Sequence, residues 1–191
     1  MTQGQLWKPR FGGQASRTAR IIVLTGERGV GKSTVCCETV ALAQARGYTC
    51  GGIITLSRPN GTRDLLDVRN NEARRLTLAP GEEPAVIQGR FRFDPDTLEW
   101  GNAALACGLA CDLLVVDELG PLEIERRGGW QSAFDALHRT NFALALVVVR
   151  PELVVQAQIR LPGSATTMIA VTLQNRDRLP AIILEILKRD V

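Results

Sequence analysis

The chain has 191 residues, of which 45% are apolar and 23% are charged, and its net charge is +3. This composition is typical of a single globular domain, and no apolar run is long enough to span a membrane. The basic charge is concentrated in residues 1–20, which hold four basic residues and no acid. The rest of the chain is slightly acidic, so its charge does not predict nucleic-acid binding.

Residues 1–19 are predicted to be a flexible basic tail, followed by one domain at 20–191. The tail is rich in Gly, Gln, Arg and small polar residues and lacks the apolar stretch of a secretory signal. The five cysteines include no CxxC pair, and His138 is the single histidine. A zinc site or a disulfide framework is therefore not expected, and reduced thiols indicate a cytoplasmic protein.

The first predicted strand, RIIVL at 20–24, leads into a glycine-rich loop with the P-loop spacing Gly26-x-x-x-x-Gly31-Lys32-Ser33. Glycine lets backbone N–H groups wrap around a phosphate. Lys32 is predicted to reach the β- and γ-phosphates, and the Ser33 hydroxyl to bind Mg²⁺. A helix is predicted from Ser33 to Gly47, with its positive N-terminal end directed at the phosphates and Gly47 as its C-cap.

Short strands and a hairpin are predicted between this helix and the next one. The strands are predicted at 48–57, 64–68, 74–79 and 90–93. Asn60-Gly61, in the turn RPNGTR after the first of these strands, favours a β-hairpin. The helix that follows the last of them has Asp96 or Thr97 near its N-terminus.

The next predicted strand, in CDLLVVDELG at 111–120, carries acidic residues at its end. Its four apolar residues at 113–116 indicate a buried parallel strand that ends at Asp117-Glu118. In P-loop enzymes an Asp at this position helps to hold Mg²⁺, and a Glu beside it can orient or deprotonate the attacking water. The alternative is that both acids only end the strand before the turn at Gly120-Pro121.

The remaining elements alternate between helix and strand. An amphipathic helix in WQSAFDALHRT places Trp130, Phe134 and Leu137 on one face. The other predicted elements are a buried strand at 141–151, a helix at 152–160, a strand at 166–173 and a helix at 175–189. This alternation predicts an α/β fold, a P-loop NTPase three-layer sandwich with a mainly parallel central sheet and an added β-hairpin.

Further polar residues follow the predicted strands, where sheets of this kind bind their ligands. Arg150, Arg176 and Arg28 could each supply positive charge to the phosphates as an arginine finger does. Each of them is more often a solvated surface residue. Asn175 could cap the last helix or bind nucleotide.

Five blocks occur in a fixed order: TGERGVGKST, GGIIT, FRFDPDTLEW, LLVVDELGPLE and VTLQNRDRLP. Together they resemble the nucleoside-triphosphatase family of P-loop NTPases first described from thermophiles, which has a cancer-related human member. The family pattern DE-[IL]-G-x-[ML]-E is matched from Asp117 to Glu123, and its T-x-x-N-R pattern from Thr172 to Arg176. The hairpin departs from the family, because LSRPNGTR stands where the family often has E-V-R.

The resemblance implies Mg²⁺-dependent hydrolysis of nucleoside 5′-triphosphates, ATP, GTP or others, to diphosphate and phosphate with little base selectivity. It implies that Glu118 and Lys32 are catalytic and that Ser33 and Asp117 serve Mg²⁺. The nucleotide-binding residues that it implies are Gly26, Glu27, Arg28, Gly29, Val30, Gly31, Lys32, Ser33, Thr34, Asn175 and Arg176.

Two other functions fit the same residues. A small-molecule phosphotransferase (kinase) would use the arginines between 58 and 92 around a phosphate acceptor. A nucleotide-dependent accessory factor would bind nucleotide and have no need of Glu118. No nucleic-acid or membrane partner is expected, and the sequence leaves the oligomeric state open.

Overall fold

The computed structural model describes residues 19–107, 111–163 and 166–190, so the predicted tail lies outside it apart from Ala19. The strands in these ranges are β1 (Arg20–Thr25), β2 (Cys50–Ser57), β3 (Arg63–Asp67), β4 (Glu72–Arg75), β5 (Val86–Gln88), β6 (Phe91–Phe93), β7 (Cys111–Leu119), β8 (Phe142–Val149) and β9 (Thr166–Ala170). The helices are α1 (Lys32–Gln44), α2 (Pro95–Cys107), α3 (Pro121–Ile124), α4 (Gln131–Arg139), α5 (Val154–Arg160) and α6 (Leu179–Asp190).

The central sheet has seven strands in the order β4-β3-β2-β7-β8-β1-β9. The five strands from β2 to β9 in this order are parallel to one another. β3 and β4 extend the sheet antiparallel to β2. The turn with Asn60-Gly61 joins β2 to β3, as predicted. The structure therefore confirms the mainly parallel α/β sheet with an added hairpin.

Helices cover both faces of the sheet because its central strands are apolar on both sides. All eight residues of β8 are buried. α1 and α6 pack on one face, and α2 and α4 pack on the other. The predicted apolar face of α4 is buried through Trp130, Phe134 and Leu137. No helix within the three described ranges is both long and apolar enough to cross a bilayer.

β4 and β5, the two strands that follow the β2–β3 hairpin, differ from the prediction. β4 covers 72–75 instead of 74–79, because the N–H groups of Leu76 and Thr77 both donate to the Arg63 carbonyl, at 2.8 and 3.1 Å. Thr77 then forms an isolated bridge with Phe93, outside β4. β5, which was not predicted, pairs antiparallel with β6 in a separate two-stranded ribbon.

The last helix begins at Leu179 and not at 175. The side chain of Asn175 is engaged in the preceding loop: its Oδ1 accepts a hydrogen bond from Thr172 N, and its Nδ2 donates to Ala170 O, both at 2.8 Å. These bonds hold residues 170–178 as a loop, so β9 ends at Ala170. Asn175 is therefore not the N-cap of α6, and the capping alternative was wrong.

Candidate active site

The P-loop lies between β1 and α1 with the backbone conformation that its glycines allow. Gly26, Gly29 and Gly31 all have positive φ angles, of 142°, 78° and 111°. A Cβ atom at Gly26 would lie 2.5 Å from the Val171 carbonyl oxygen, which excludes any larger residue without movement of the backbone. The loop thus packs against the chain that follows β9, and its glycines are required by its shape.

Lys32 and the first turn of α1 present positive charge at this loop. The Lys32 Nζ donates hydrogen bonds to the carbonyl oxygens of Gly26, at 2.6 Å, and Glu27, at 3.0 Å. Gly31 precedes the helix and offers no side-chain cap, and the first turn contains no acid. The backbone N–H groups at this helix end are therefore available to an anion.

Asp117 is a buried carboxylate near the end of β7, with 1% of its surface exposed. Among the described residues its Oδ2 has no hydrogen-bond partner. Burial raises the pKa of Asp117 to about 7, and a contact with the Ser33 hydroxyl opposes that rise. The structure thus brings the two predicted Mg²⁺ residues together. A carboxylate and a hydroxyl are oxygen ligands of the kind that Mg²⁺ takes, so the site fits the ion.

Glu118 has different surroundings from its neighbour. The pairing of β7 with β8 shifts register between Val116 and Leu119, and the Asp117–Glu118 peptide is cis. Glu118 is half-buried, and its Oε1 accepts a hydrogen bond from Arg150 Nε at 2.7 Å and forms an ion pair with Arg150 Nη2, also at 2.7 Å. Arg150 directly follows β8, which is the parallel neighbour of β7. The ends of two adjacent strands therefore place Glu118 and Arg150 side by side.

A cleft of about 550 Å³ lies between the P-loop and the ends of β7 and β8. Its lining includes Gly26, Gly29, Lys32, Arg63, Glu118 and Arg150. The predicted catalytic residues Lys32 and Glu118 therefore face one space. Its volume lies within the range of small-molecule sites.

The remaining predicted nucleotide-binding residues lie in different places. Arg28 is exposed on the loop and also lines the cleft. The Nη1 of Arg176 donates to the Val30 carbonyl at 3.3 Å, so its guanidinium contacts the loop backbone, and Arg176 is not among the residues that line the cleft. Thr34 is exposed in the first turn of α1. The Asn175 amide is bonded to loop backbone, as described above.

Sequence reasoning gave no role of their own to two residues of the site region. Arg63 lines the cleft, with its Cζ 4.0 Å from the centre of the Phe91 ring. Glu123 is buried, and its carboxylate accepts bonds from Gly120 N at 2.8 Å and Trp130 N at 3.2 Å, which orders the turn after Glu118. Arg63 belongs to no motif, and the only available signal was its position just after the Asn60-Gly61 turn.

The chain is similar to nucleoside triphosphatases in both sequence and structure. A family model described as NTPase matches residues 21–184. The nucleoside-triphosphatase THEP1 of Methanopyrus kandleri is 30% identical over 169 residues, which cover 86% of this chain and 93% of that protein. The crystal structure of THEP1 from Aquifex aeolicus has a TM-score of 0.63 at 20% identity, covering 88% of this chain and 99% of that one. The solution structure of a human cancer-related nucleoside triphosphatase has a TM-score of 0.66 at 21% identity, covering 89% and 98%.

Proposed function

The chain belongs to the nucleoside-triphosphatase family, and from this premise we propose that it hydrolyses nucleoside 5′-triphosphates to diphosphate and phosphate with Mg²⁺. The observation that carries the proposal is the position of Glu118. It lies beside the buried Asp117 and faces the same cleft as the P-loop lysine. A module that only binds nucleotide has no need of a carboxylate there.

The proposed reaction is attack by water on the γ-phosphorus. Glu118 orients this water and accepts its proton, while the bond between the γ-phosphorus and the bridging oxygen breaks and the diphosphate leaves. Lys32 and the N–H groups of the loop hold the phosphates in line with the water. Arg150 holds the carboxylate of Glu118 in the cleft through this hydrogen bond and ion pair.

We propose that Ser33 and Asp117 hold the Mg²⁺ ion. The support is the unpartnered Oδ2 of Asp117 and its contact with the Ser33 hydroxyl. When bound, Mg²⁺ neutralises charge on the β- and γ-phosphates. A nearby cation would also keep the Asp117 carboxylate ionised despite its burial.

We also propose broad base selectivity and a cytoplasmic location. The site is formed by loop N–H groups, Lys32, Ser33 and Asp117. These groups suit the phosphates and the metal ion, and they do not recognise a nucleobase. The cysteines with described side chains, Cys36, Cys37, Cys50 and Cys111, are all free thiols, which supports a reducing compartment. No nucleic-acid or membrane partner is part of this proposal.

The test is phosphate release with Mg²⁺ from ATP, GTP, CTP and UTP. We expect turnover of all four, and a loss of at least about 100-fold in kcat for Glu118→Gln with nucleotide binding retained, because a general base contributes about that factor or more. Glu125→Gln, an exposed acid at the end of α3, is the matched control. Binding without phosphate release above background would refute hydrolysis, and an unchanged kcat in Glu118→Gln would remove its assigned role.

A phosphotransferase is the second candidate, favoured by the arginines of the cleft. Its lining includes Arg63 and Arg90, from the arginine-rich segment 58–92 that such an enzyme would use around its acceptor. Such an enzyme would form diphosphate only when an acceptor is added. Diphosphate and free phosphate in equal amounts from nucleotide and water alone would exclude it as the main activity.

A further inference from the structure

Arg63 has a guanidinium group without an anionic partner. It is half-buried at the start of β3, and within the described residues no carboxylate or carbonyl oxygen forms an ion pair or hydrogen bond with its side chain. Two other arginines nearby are paired, Arg150 with Glu118 and Arg58 with Asp64, whereas Arg28 and Arg90, which also line the cleft, are exposed. A partly desolvated cation that faces a cleft and lacks a counter-charge indicates an anionic ligand.

The position of Arg63 is fixed by its backbone and by an aromatic ring. Its N–H donates to Thr77 Oγ1 at 2.8 Å, and its carbonyl accepts bonds from Leu76 N and Thr77 N. Its guanidinium stacks on Phe91 of β6, 4.0 Å from the ring centre. The backbone bonds fix the main chain of Arg63, and the ring contact restrains its guanidinium, so part of the side chain's conformational entropy is already lost before a ligand binds.

The charges around Arg63 are those of the proposed phosphate site. Burial is the main reason that the pKa of Arg63 is lowered, and the negative charge of Glu118 opposes this effect. The positive charges of Arg150 and Arg28 add to the lowering. Arg63 also lines the same cleft as Lys32. A strongly negative group in this cleft would relieve the repulsion between these cations.

The other arginines near the loop are less suited to contact the γ-phosphate. Arg150 is bonded to Glu118, Arg176 is bonded to the Val30 carbonyl and does not line the cleft, and Arg28 is exposed. Arg63 is partly buried, positioned by packing and unpaired. It was not among the residues singled out by any sequence motif.

We propose that Arg63 binds the γ-phosphate of the nucleoside triphosphate from the hairpin side of the cleft and stabilises the charge of the transition state. This proposal rests on the proposed function only in that the P-loop holds a triphosphate. Its consequence is that the chain supplies its own arginine to the phosphate. An activating partner is then not needed to provide one.

The test compares binding of a non-hydrolysable triphosphate with binding of a diphosphate. We expect Arg63→Met, which keeps an unbranched stem against Phe91, to weaken binding of Mg²⁺–AMP-PNP about tenfold or more, since charge-assisted hydrogen bonds to the γ-phosphate are lost. Binding of Mg²⁺–ADP should change by less than about twofold, because ADP has no γ-phosphate. Arg63→Ala is the second variant, and the kcat of both should fall at least about 100-fold.

The matched control is Arg74→Met. Arg74 also stacks on an aromatic ring, with its Cζ 4.4 Å from the centre of Trp100, but it lies on β4, pairs with Glu72 and does not line the cleft. We expect it to bind both nucleotides as the wild type does. Equal weakening of AMP-PNP and ADP in the Arg63 variants, or no weakening of either, would overturn the proposal. The binding comparison decides this even if the wild type proves not to hydrolyse nucleotides, so the two proposals fail separately.

Discussion

Asp117 and Glu118 are adjacent residues of the same chemistry, and the fold gives them different surroundings. Asp117 is fully enclosed, contacts Ser33 and has one oxygen without a partner among the described residues. Glu118 faces the cleft and is held by Arg150. A buried oxygen beside a hydroxyl suits a metal ligand, whereas a carboxylate that faces the cleft can reach water. The division of roles that we propose for the two acids therefore rests on their different burial.

Lys32 is expected to make a large contribution to the affinity for the phosphates. Lys32→Ala removes the ammonium group, which is buried among loop carbonyls and faces the cleft. We expect nucleoside triphosphate binding to weaken about tenfold or more, because a charged hydrogen bond to phosphate is lost. Isothermal titration calorimetry with Mg²⁺–AMP-PNP measures this change.

Lys188→Ala is the control for this prediction. Lys188 is an exposed lysine of α6 that pairs with Glu185 at 2.6 Å, far along the chain from the loop. Its removal should leave nucleotide affinity unchanged. If Lys32→Ala bound the analogue as tightly as the wild type, the loop would not be the phosphate site.

The sequence predicted those site residues that belong to contiguous motifs. Gly26, Lys32 and Ser33 follow from loop spacing, and Asp117 from its place after an apolar run. Arg63 could not be predicted in this way, because its role depends on Phe91 and Glu118, which other strands bring to it. Contacts between distant segments leave no fixed spacing in a sequence.

At the scale of elements, β2 and β7 approach each other at Gly52. Its φ is 99°, and a Cβ atom there would lie 1.9 Å from the Val115 carbonyl oxygen. β7 carries Asp117 and Glu118 at its end, and Thr55 of β2 donates to the Asp117 carbonyl at 2.8 Å. The close contact between these two strands therefore supports the acidic end of β7.

Gly52→Ala is expected to lower the free energy of unfolding by about 3 kcal/mol, because the methyl group collides with backbone and the positive φ is disfavoured. Urea denaturation measures the change. Gly47→Ala is the control, since Gly47 also has a positive φ, of 81°, but a Cβ atom there would meet no described neighbour within 4 Å. It should lose only about 1 kcal/mol. Equal losses in the two variants would mean that the contact with Val115 does not matter.

Elements with a strong periodic pattern were predicted well, and elements fixed by side-chain bonds were not. β8 is an uninterrupted apolar strand, and the helix with Trp130 and Phe134 has one clear apolar face. The start of α6 was misplaced because the Asn175 side chain bonds to backbone before it. Asp96 and Thr97 lie in the first turn of α2, near its N-terminus as predicted, and the Oδ2 of Asp94, just before the helix, accepts a hydrogen bond from Thr97 N.

For the whole molecule, the order of the strands assembles the site. β1, β8 and β7 are neighbours in the sheet, so the P-loop, Arg150 and Glu118 meet at the same edge although they are far apart in the chain. The hairpin of β2 and β3 adds Arg63 from the side. The α/β class followed from alternating elements, whereas strand order depends on pairing that one sequence does not display.

Family membership identifies the chain as a nucleoside triphosphatase. An experiment can distinguish water from a small molecule as the acceptor of the γ-phosphoryl group. Water and a small molecule would use the same P-loop, the same Mg²⁺ residues and the same Arg63. They differ in where the γ-phosphoryl group goes. The central claim is therefore that water attacks the γ-phosphorus, with Glu118 as its base.

Turnover of ATP in ¹⁸O-labelled water, followed by mass spectrometry of both products, tests this claim most directly. We expect one solvent ¹⁸O atom in each phosphate released, none in the ADP, and no need for any added acceptor. Label in the β-phosphate of ADP would mean attack at the wrong phosphorus. ADP formation that requires an added acceptor and releases no phosphate would mean that the γ-phosphoryl group goes to that acceptor, and either result would contradict attack of water on the γ-phosphorus.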